Sequence, residues 1–278
     1  MLMETLSRWI GGVNDVLWTY VLVAALLGCA VWFTLRTRGV QFRLLGEMMR
    51  VLGESAGSGP KGERHVSSFQ AFAVSLASRV GTGNLAGVAT AIVVGGPGAV
   101  FWMWVIALVG AASAFVESTL AQLYKRRGRD SFIGGPAYYM ERGLGRRWMG
   151  VLFAVLISVT FGFAFNSVQS NTICAAWEGA FGADRVWVGV VLTALTLYRL
   201  LVGAMVLFGS VATLDLAWSL ADVTMALMTL CNLAAIVLLG RLAFLLLADY
   251  TAQKRQGIKN PVFTKDRIPE LKDKAECW

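Results

Sequence analysis

Six apolar runs, over residues 16–35, 69–94, 99–123, 148–175, 186–213 and 217–247, are each long enough to cross the hydrocarbon of a bilayer, which takes about 20 residues as a helix. In hydrocarbon a free N–H or C=O finds no water, so a spanning segment has to satisfy its own backbone as a helix or in a closed barrel. Runs this long and continuous predict helices. Of the 278 residues, 56% are hydrophobic and 15% charged, which sets the chain apart from a soluble domain. The fold class expected is all-α, a polytopic transmembrane helical bundle of about six spans.

The second run is interrupted by Ala77-Ser78-Arg79-Val80-Gly81-Thr82-Gly83-Asn84-Leu85-Ala86-Gly87. Glycine costs about 1 kcal/mol against alanine in a helix interior, so three in seven residues make a poor span. Unwound backbone at membrane depth is tolerated where it lines a buried or watery cavity, and secondary transporters hold substrate and ions at such breaks. The alternative is a close-packing face, because Gly83 and Gly87 form a small-xxx-small pair. The run ends at Gly95-Gly96-Pro97-Gly98, a turn signal.

The formal charge of +8 is distributed by membrane side. Of 25 Lys and Arg, six lie in residues 36–66, seven in 124–147 and seven in 250–278, which marks these segments as cytoplasmic by the positive-inside bias and argues against a nucleic-acid partner. Basic residues follow the first apolar run rather than precede it, so it reads as an uncleaved helix with its N-terminus outside. Six crossings in series then leave the basic tail outside. An even number between loop 124–147 and the tail would place it inside. Arg199, in the middle of run 186–213, points the same way, since a lone arginine at a helix centre costs about 2.5–3.5 kcal/mol on insertion scales. The run then reads as two half-spans joined at a seam.

Other polar residues have two readings each. Glu117 inside the third run is either functional, as intramembrane carboxylates often are, or one half of an ion pair at the basic inner end. Asn166, Gln169 and Asn171 cannot all share one helix face, which leaves one free to point at a site. Val40 to Leu45 begins a short interfacial helix, and Trp177 to Asp184 forms an outer loop. Cys29, Cys174, Cys231 and Cys277 have no metal or redox spacing, and His65 is the only histidine. No nucleophile–base pair, metal cluster or phosphate loop is visible. An enzyme is not expected, nor any cofactor.

The residues from Val80 to Ala89, Gly95 to Trp104, the Gly134-Gly135-Pro136-Ala137-Tyr138-Tyr139 loop, Asn166 to Asn171, and Asp215 to Asp222 together resemble the sodium:alanine (alanine or glycine:cation) symporter family. The resemblance implies a leucine-transporter-type fold: an extra first helix, then two inverted five-helix repeats around broken helices. Residues 1–197 look like the N-terminal helices of that fold, including the broken helix (69–94). Residues 198–278 look like its last helices and the basic cytoplasmic tail (250–278). The middle helices, with the second broken helix, are missing, and the seam falls near Thr196 to Arg199.

What the resemblance implies for function is sodium-coupled symport of a small neutral amino acid, alanine or glycine, across a bacterial-type cytoplasmic membrane. Sodium is the coupling ion expected, a proton the alternative. The amides of Thr82 and Gly83 would take the substrate carboxylate and Gln169 would contact the substrate. The carbonyl end around Ala77, Arg79 and Val80, with the Asn84 side-chain oxygen, would hold sodium. Asn84 also reads as a helix cap beside the break, and the Arg79 side chain is expected to turn away, with Glu117 as partner. The alternative function is a truncated, transport-incompetent protein or a subunit that associates with intact relatives.

Overall fold

The computed structural model describes residues 2–54, 67–128, 132–195, 214–271 and 275–278. His65 and the seam near Arg199 lie outside them. The described residues are helical almost throughout, and four helical stretches among them are long and apolar enough to cross a membrane: Arg8–Arg36, Gly98–Leu123, Arg147–Phe181 and Ala217–Arg255. The second expected span is a pair of shorter helices. Of the run at 186–213, only an 11-residue helix, Arg185–Leu195, is described.

The chain divides into two compact units, Met1–Cys29 with Ala114–Trp278, and Ala30–Ser113. In order, the helices are α1 (Leu2–Val16), a π-turn (Leu17–Leu22), α2 (Val23–Arg36), α3 (Val40–Arg43), α4 (Leu45–Leu52), α5 (Ser68–Arg79), α6 (Thr82–Gly95) and α7 (Gly98–Leu123). A two-stranded hairpin, β1 (Arg126–Arg127) with β2 (Phe132–Ile133), follows. Then come α8 (Pro136–Arg142), α9 (Arg147–Val159), a second π-turn (Thr160–Ala164), α10 (Phe165–Phe181), α11 (Arg185–Leu195) and α12 (Leu214–Arg255).

In the larger unit, α9–α10 and α12 are antiparallel neighbours. The Cys231 thiol reaches the Met149 carbonyl at 4.0 Å, whereas Ala164 and Val168 pack on Ala217 and Ala221. Residue numbers rise on one helix as they fall on the other. Alanines at this contact let the backbones come close, the usual device where lipid supplies no hydrophobic drive for helix association. The Trp18 indole donates to the Asp222 carbonyl at 3.2 Å, joining the first helix to the start of α12.

The packed centre lies at the other end of this unit. Val116, Leu120 and Leu123 of α7, Tyr124 just after it, Tyr139 and Met140 of α8, and Ile236, Leu239 and Ala243 of α12 are all buried. Close approach here depends on glycine. A Cβ on Gly150 would lie 2.7 Å from the Ala137 carbonyl oxygen, and one on Gly143 would lie 2.5 Å from that of Tyr139.

The tail folds back over this end. Arg267 bonds Asp249 at 3.0 Å and Arg241 pairs with Glu270 at 2.8 Å. Glu276 pairs with Arg142, and the Trp278 indole donates to the Gln122 carbonyl at 3.2 Å. The basic tail therefore sits at the same end as residues 122–142. Six crossings in series would have put it at the opposite end, so the placement goes with an even number of crossings between loop and tail.

Two boundaries differ from expectation. Trp177 to Phe181 continue α10 instead of forming a loop, and the connection to α11 is only residues 182–184. Gly182 closes α10 in the left-handed conformation, its N–H bonded to the Glu178 carbonyl, so the helix ends where its glycine cap falls.

Candidate transport site

The broken segment belongs to the smaller unit. Its first half-helix is started by a capping box: the Ser67 hydroxyl accepts from the Gln70 N–H at 3.1 Å, and the Gln70 side chain accepts from the Ser67 N–H at 3.0 Å. Ser67-x-x-Gln70 is a helix-start pattern that the apolar run around it obscured. α5 then runs 12 residues to Arg79, and α6 runs 14 from Thr82.

Between them lie only two residues, both extended: Val80 at φ −87°, ψ 117°, and Gly81 at φ −160°, ψ −175°. Any residue adopts such angles, so the break is not a glycine conformation in itself. Gly83 falls inside α6, not in the gap. A Cβ at Gly81 or Gly87 would meet nothing within 4 Å, so close packing leaves no mark at Gly87 among the described residues.

The gap brings two opposite helix ends together. The last carbonyls of a helix and its first amides lack intrahelical partners, and the macrodipole adds negative character at the end of α5 and positive character at the start of α6. The Val80 N–H bonds the Ala77 carbonyl at 3.3 Å, which leaves that oxygen a second lone pair. The Asn84 N–H bonds the Gly81 carbonyl at 3.1 Å, so the amides left at the head of α6 are those of Thr82 and Gly83. Carbonyls at one end suit a hard cation, and amides at the other suit a carboxylate.

Ala77, Val80, Gly81 and Asn84 are all exposed. The structure therefore brings Ala77, Val80 and Asn84 together along one short stretch with the backbones of Arg79, Thr82 and Gly83. The side chains of Arg79 and Thr82 lie outside the described part, and with them the expected pairing of Arg79 with Glu117.

Gln169 belongs to the larger unit, on α10, where it is exposed. Its neighbours point elsewhere: the Asn166 amide donates to the Gly162 carbonyl at 2.8 Å, and Asn171 is fully buried. The three do not share a face. Glu117 is half-buried on α7; burial first, and the Glu117 charge next, push the Tyr139 hydroxyl far above the ordinary phenol range. The four cysteines are free thiols, and among the described residues no three His, Cys, Asp or Glu side chains cluster to hold a metal.

The profile of the sodium:alanine symporter family matches the chain in two stretches, residues 3–197 and 193–265. The chain belongs to the sodium:alanine symporter family. Members of this family are transporters and not enzymes. The two matched stretches overlap at residues 193–197, beside the expected seam.

Among curated proteins, the chain is similar to the probable sodium/glutamine symporter GlnT of Bacillus subtilis, 54% identical over 192 residues, covering 69% of this chain and 40% of that one. It is 56% identical over 185 residues to the amino-acid carrier protein AlsT of the same organism, covering 66% and 39%. To the sodium/alanine symporter AgcS of Methanococcus maripaludis it is 38% identical over 189 residues, covering 66% and 42%. The chain thus spans about two fifths of the length of these relatives.

Proposed function

We propose that this chain carries the first half of a sodium-coupled symport site for a small neutral amino acid, alanine or glycine being favoured, in a bacterial-type cytoplasmic membrane. The observation that carries the proposal is the two-residue gap between α5 and α6. Carbonyls of Ala77, Arg79 and Val80 ligate sodium from the α5 end, with the Asn84 side-chain oxygen completing that side. The Thr82 and Gly83 amides take the substrate carboxylate at the α6 end, where it would lie within reach of the sodium charge. Neutralising one another, ion and carboxylate bind better together than apart, which is the physical basis of coupling. By the resemblance to the family, Gln169 is assigned to the substrate and the fold to the leucine-transporter type.

The test is alanine uptake into vesicles holding only this polypeptide, driven by a sodium gradient. Uptake that collapses in potassium supports symport by the chain itself. Background uptake from well-inserted protein overturns it.

A second reading has its own support, from the two family matches that overlap at residues 193–197. In this reading the chain lacks the middle helices of its relatives and acts as a transport-incompetent subunit beside intact ones. Antiparallel α9–α10 and α12, with the tail beside residues 122–142, require residues 182–216 to start and finish on one side of the membrane. Two segments that each ended on the outer side, joined near residue 197, fit that requirement. Co-reconstitution with an intact relative separates the readings, because a subunit alters that relative's uptake and a bystander does not.

A further inference from the structure

We propose that the hairpin after α7 is a binding site for an anionic phospholipid, with Lys125 and Arg127 holding the headgroup phosphate and Phe132 and Ile133 lying against the apolar part of the lipid. Such binding asks only that α7 cross the membrane and is independent of symport.

The two strands set basic residues against apolar ones. Arg126 stands opposite Ile133, and Arg127 opposite Phe132. All four are exposed, Phe132 by 50% and Ile133 by 41%. Apolar surface left in water is unfavourable, whereas at the rim of a bilayer it meets lipid while the neighbouring cations meet phosphate. Side chains alternate between the faces of a strand, and the ring contacts follow that alternation. On one face the Lys125 ammonium lies 4.9 Å and the Arg127 guanidinium 6.0 Å from the Phe132 ring, with the Trp278 ring 4.1 Å from the same ammonium. On the other face the Arg126 guanidinium lies 6.0 Å from the Tyr138 ring.

Backbone packing fixes the height of the hairpin. A Cβ on Gly134 would lie 2.8 Å from the Ala121 carbonyl oxygen, so glycine lets the end of β2 return this close to the last turn of α7. The apolar span ends at Leu123 and β1 begins at Arg126. The hairpin therefore sits where the span stops, at the level of the headgroups. Its basic residues assign it to the cytoplasmic leaflet, whose anionic lipids attract such segments.

The charges around Phe132 favour an anion. Lys125 and Arg127 are like charges gathered at one ring, and among the described residues neither side chain has a carboxylate partner. The nearby carboxylate, Glu276, accepts from the Arg142 guanidinium and the Arg127 main chain, and its charge bears next on Arg126. A phosphate supplies acceptor oxygens for the guanidinium fork and a counter-charge for the ammonium. Free phosphate would meet the same two cations but would leave Phe132 and Ile133 bare, which favours the lipid.

The experiment uses the full chain in detergent micelles, titrated with phosphatidylglycerol or phosphatidylcholine of the same acyl chains, with bound lipid counted by native mass spectrometry. Phosphatidylglycerol is expected to bind at least about tenfold more tightly, each cation contributing about five-fold. Lys125→Gln with Arg127→Gln abolishes the preference, whereas Lys125→Arg with Arg127→Lys, which keeps both charges, retains it. Arg255→Gln with Lys259→Gln, the same loss of charge at exposed positions away from the hairpin, leaves it unchanged. Ile133→Ser weakens phosphatidylglycerol binding several-fold, and millimolar inorganic phosphate does not displace the lipid. Equal binding of the two lipids, a preference that survives the double glutamine variant, or an equal loss in the Arg255 and Lys259 pair overturns the site. Displacement by phosphate overturns the lipid as its occupant.

Discussion

The Tyr139 hydroxyl on α8 donates to the side-chain oxygen of Asn232 on α12, tying together residues 93 apart in the chain. Tyr139 is fully buried, so the bond has little competition from water. Tyr139→Phe leaves the Asn232 oxygen without this donor and is expected to destabilise by about 1–3 kcal/mol. Tyr124 offers the contrast: its buried hydroxyl has no hydrogen-bond partner among the described residues, so Tyr124→Phe is expected to be neutral or stabilising. Thermal unfolding of both variants in one detergent checks the pair.

Glycine substitutions separate packing from unwinding. Gly150→Ala drives a Cβ to 2.7 Å from the Ala137 carbonyl and is expected to cost about 1–3 kcal/mol, as overpacking does. Gly87→Ala meets open space within α6 and is expected to gain about 0.4–1 kcal/mol by stiffening the unfolded chain. A melting series with the opposite order would contradict the packing described for α8 and α9.

The Glu276 carboxylate has a measurable pH signature. Its hydrogen bond from Arg142 holds its pKa below the usual carboxylate range. A depressed folded pKa means that the contribution is present above the unfolded value and lost as pH falls through the folded one. Docking of Glu276 on Arg142 is therefore expected to persist at pH values where free glutamate is already protonated, and to weaken below that. Arg142→Gln moves the transition up toward the ordinary glutamate range, read from the mobility of a Cys277 label during acid titration.

Sidedness follows from helix direction. With α9–α10 and α12 antiparallel and Glu276 on Arg142, a tag after Trp278 is expected to be reachable from the same face as one placed in residues 129–131. Access from opposite faces would contradict the packing of the tail.

Four of the six apolar runs were legible for a physical reason: length and hydrophobicity alone decide whether a helix can span, and these four are long continuous helices among the described residues. The break was legible as a region but not as a position. Glycine spacing pointed to Gly81 and Gly83, whereas the gap is Val80 and Gly81, set by the capping box that starts α5 and by amides that start α6 at Thr82. The inner-end glycines carry no signal in the sequence, since Gly143 and Gly150 matter through backbone atoms of residues 139 and 137, contacts that no periodicity reports. Arg241 and the tail show the other limit. Arg241 lies inside an apolar run, and only the fold shows Glu270 coming back to meet it. The parity conflict, by contrast, was readable from charge alone, and it pointed to the stretch where the two family matches meet.

The central claim is that the gap at Val80–Gly81 holds sodium and an amino-acid carboxylate together. A Val80→Cys variant in a background without native cysteines tests it directly, through its rate of reaction with a small thiol reagent. The account predicts that sodium and alanine together slow the reaction several-fold, that alanine in potassium does not, and that Asn84→Ala raises the sodium concentration needed. A rate indifferent to sodium and alanine in well-inserted protein would contradict it.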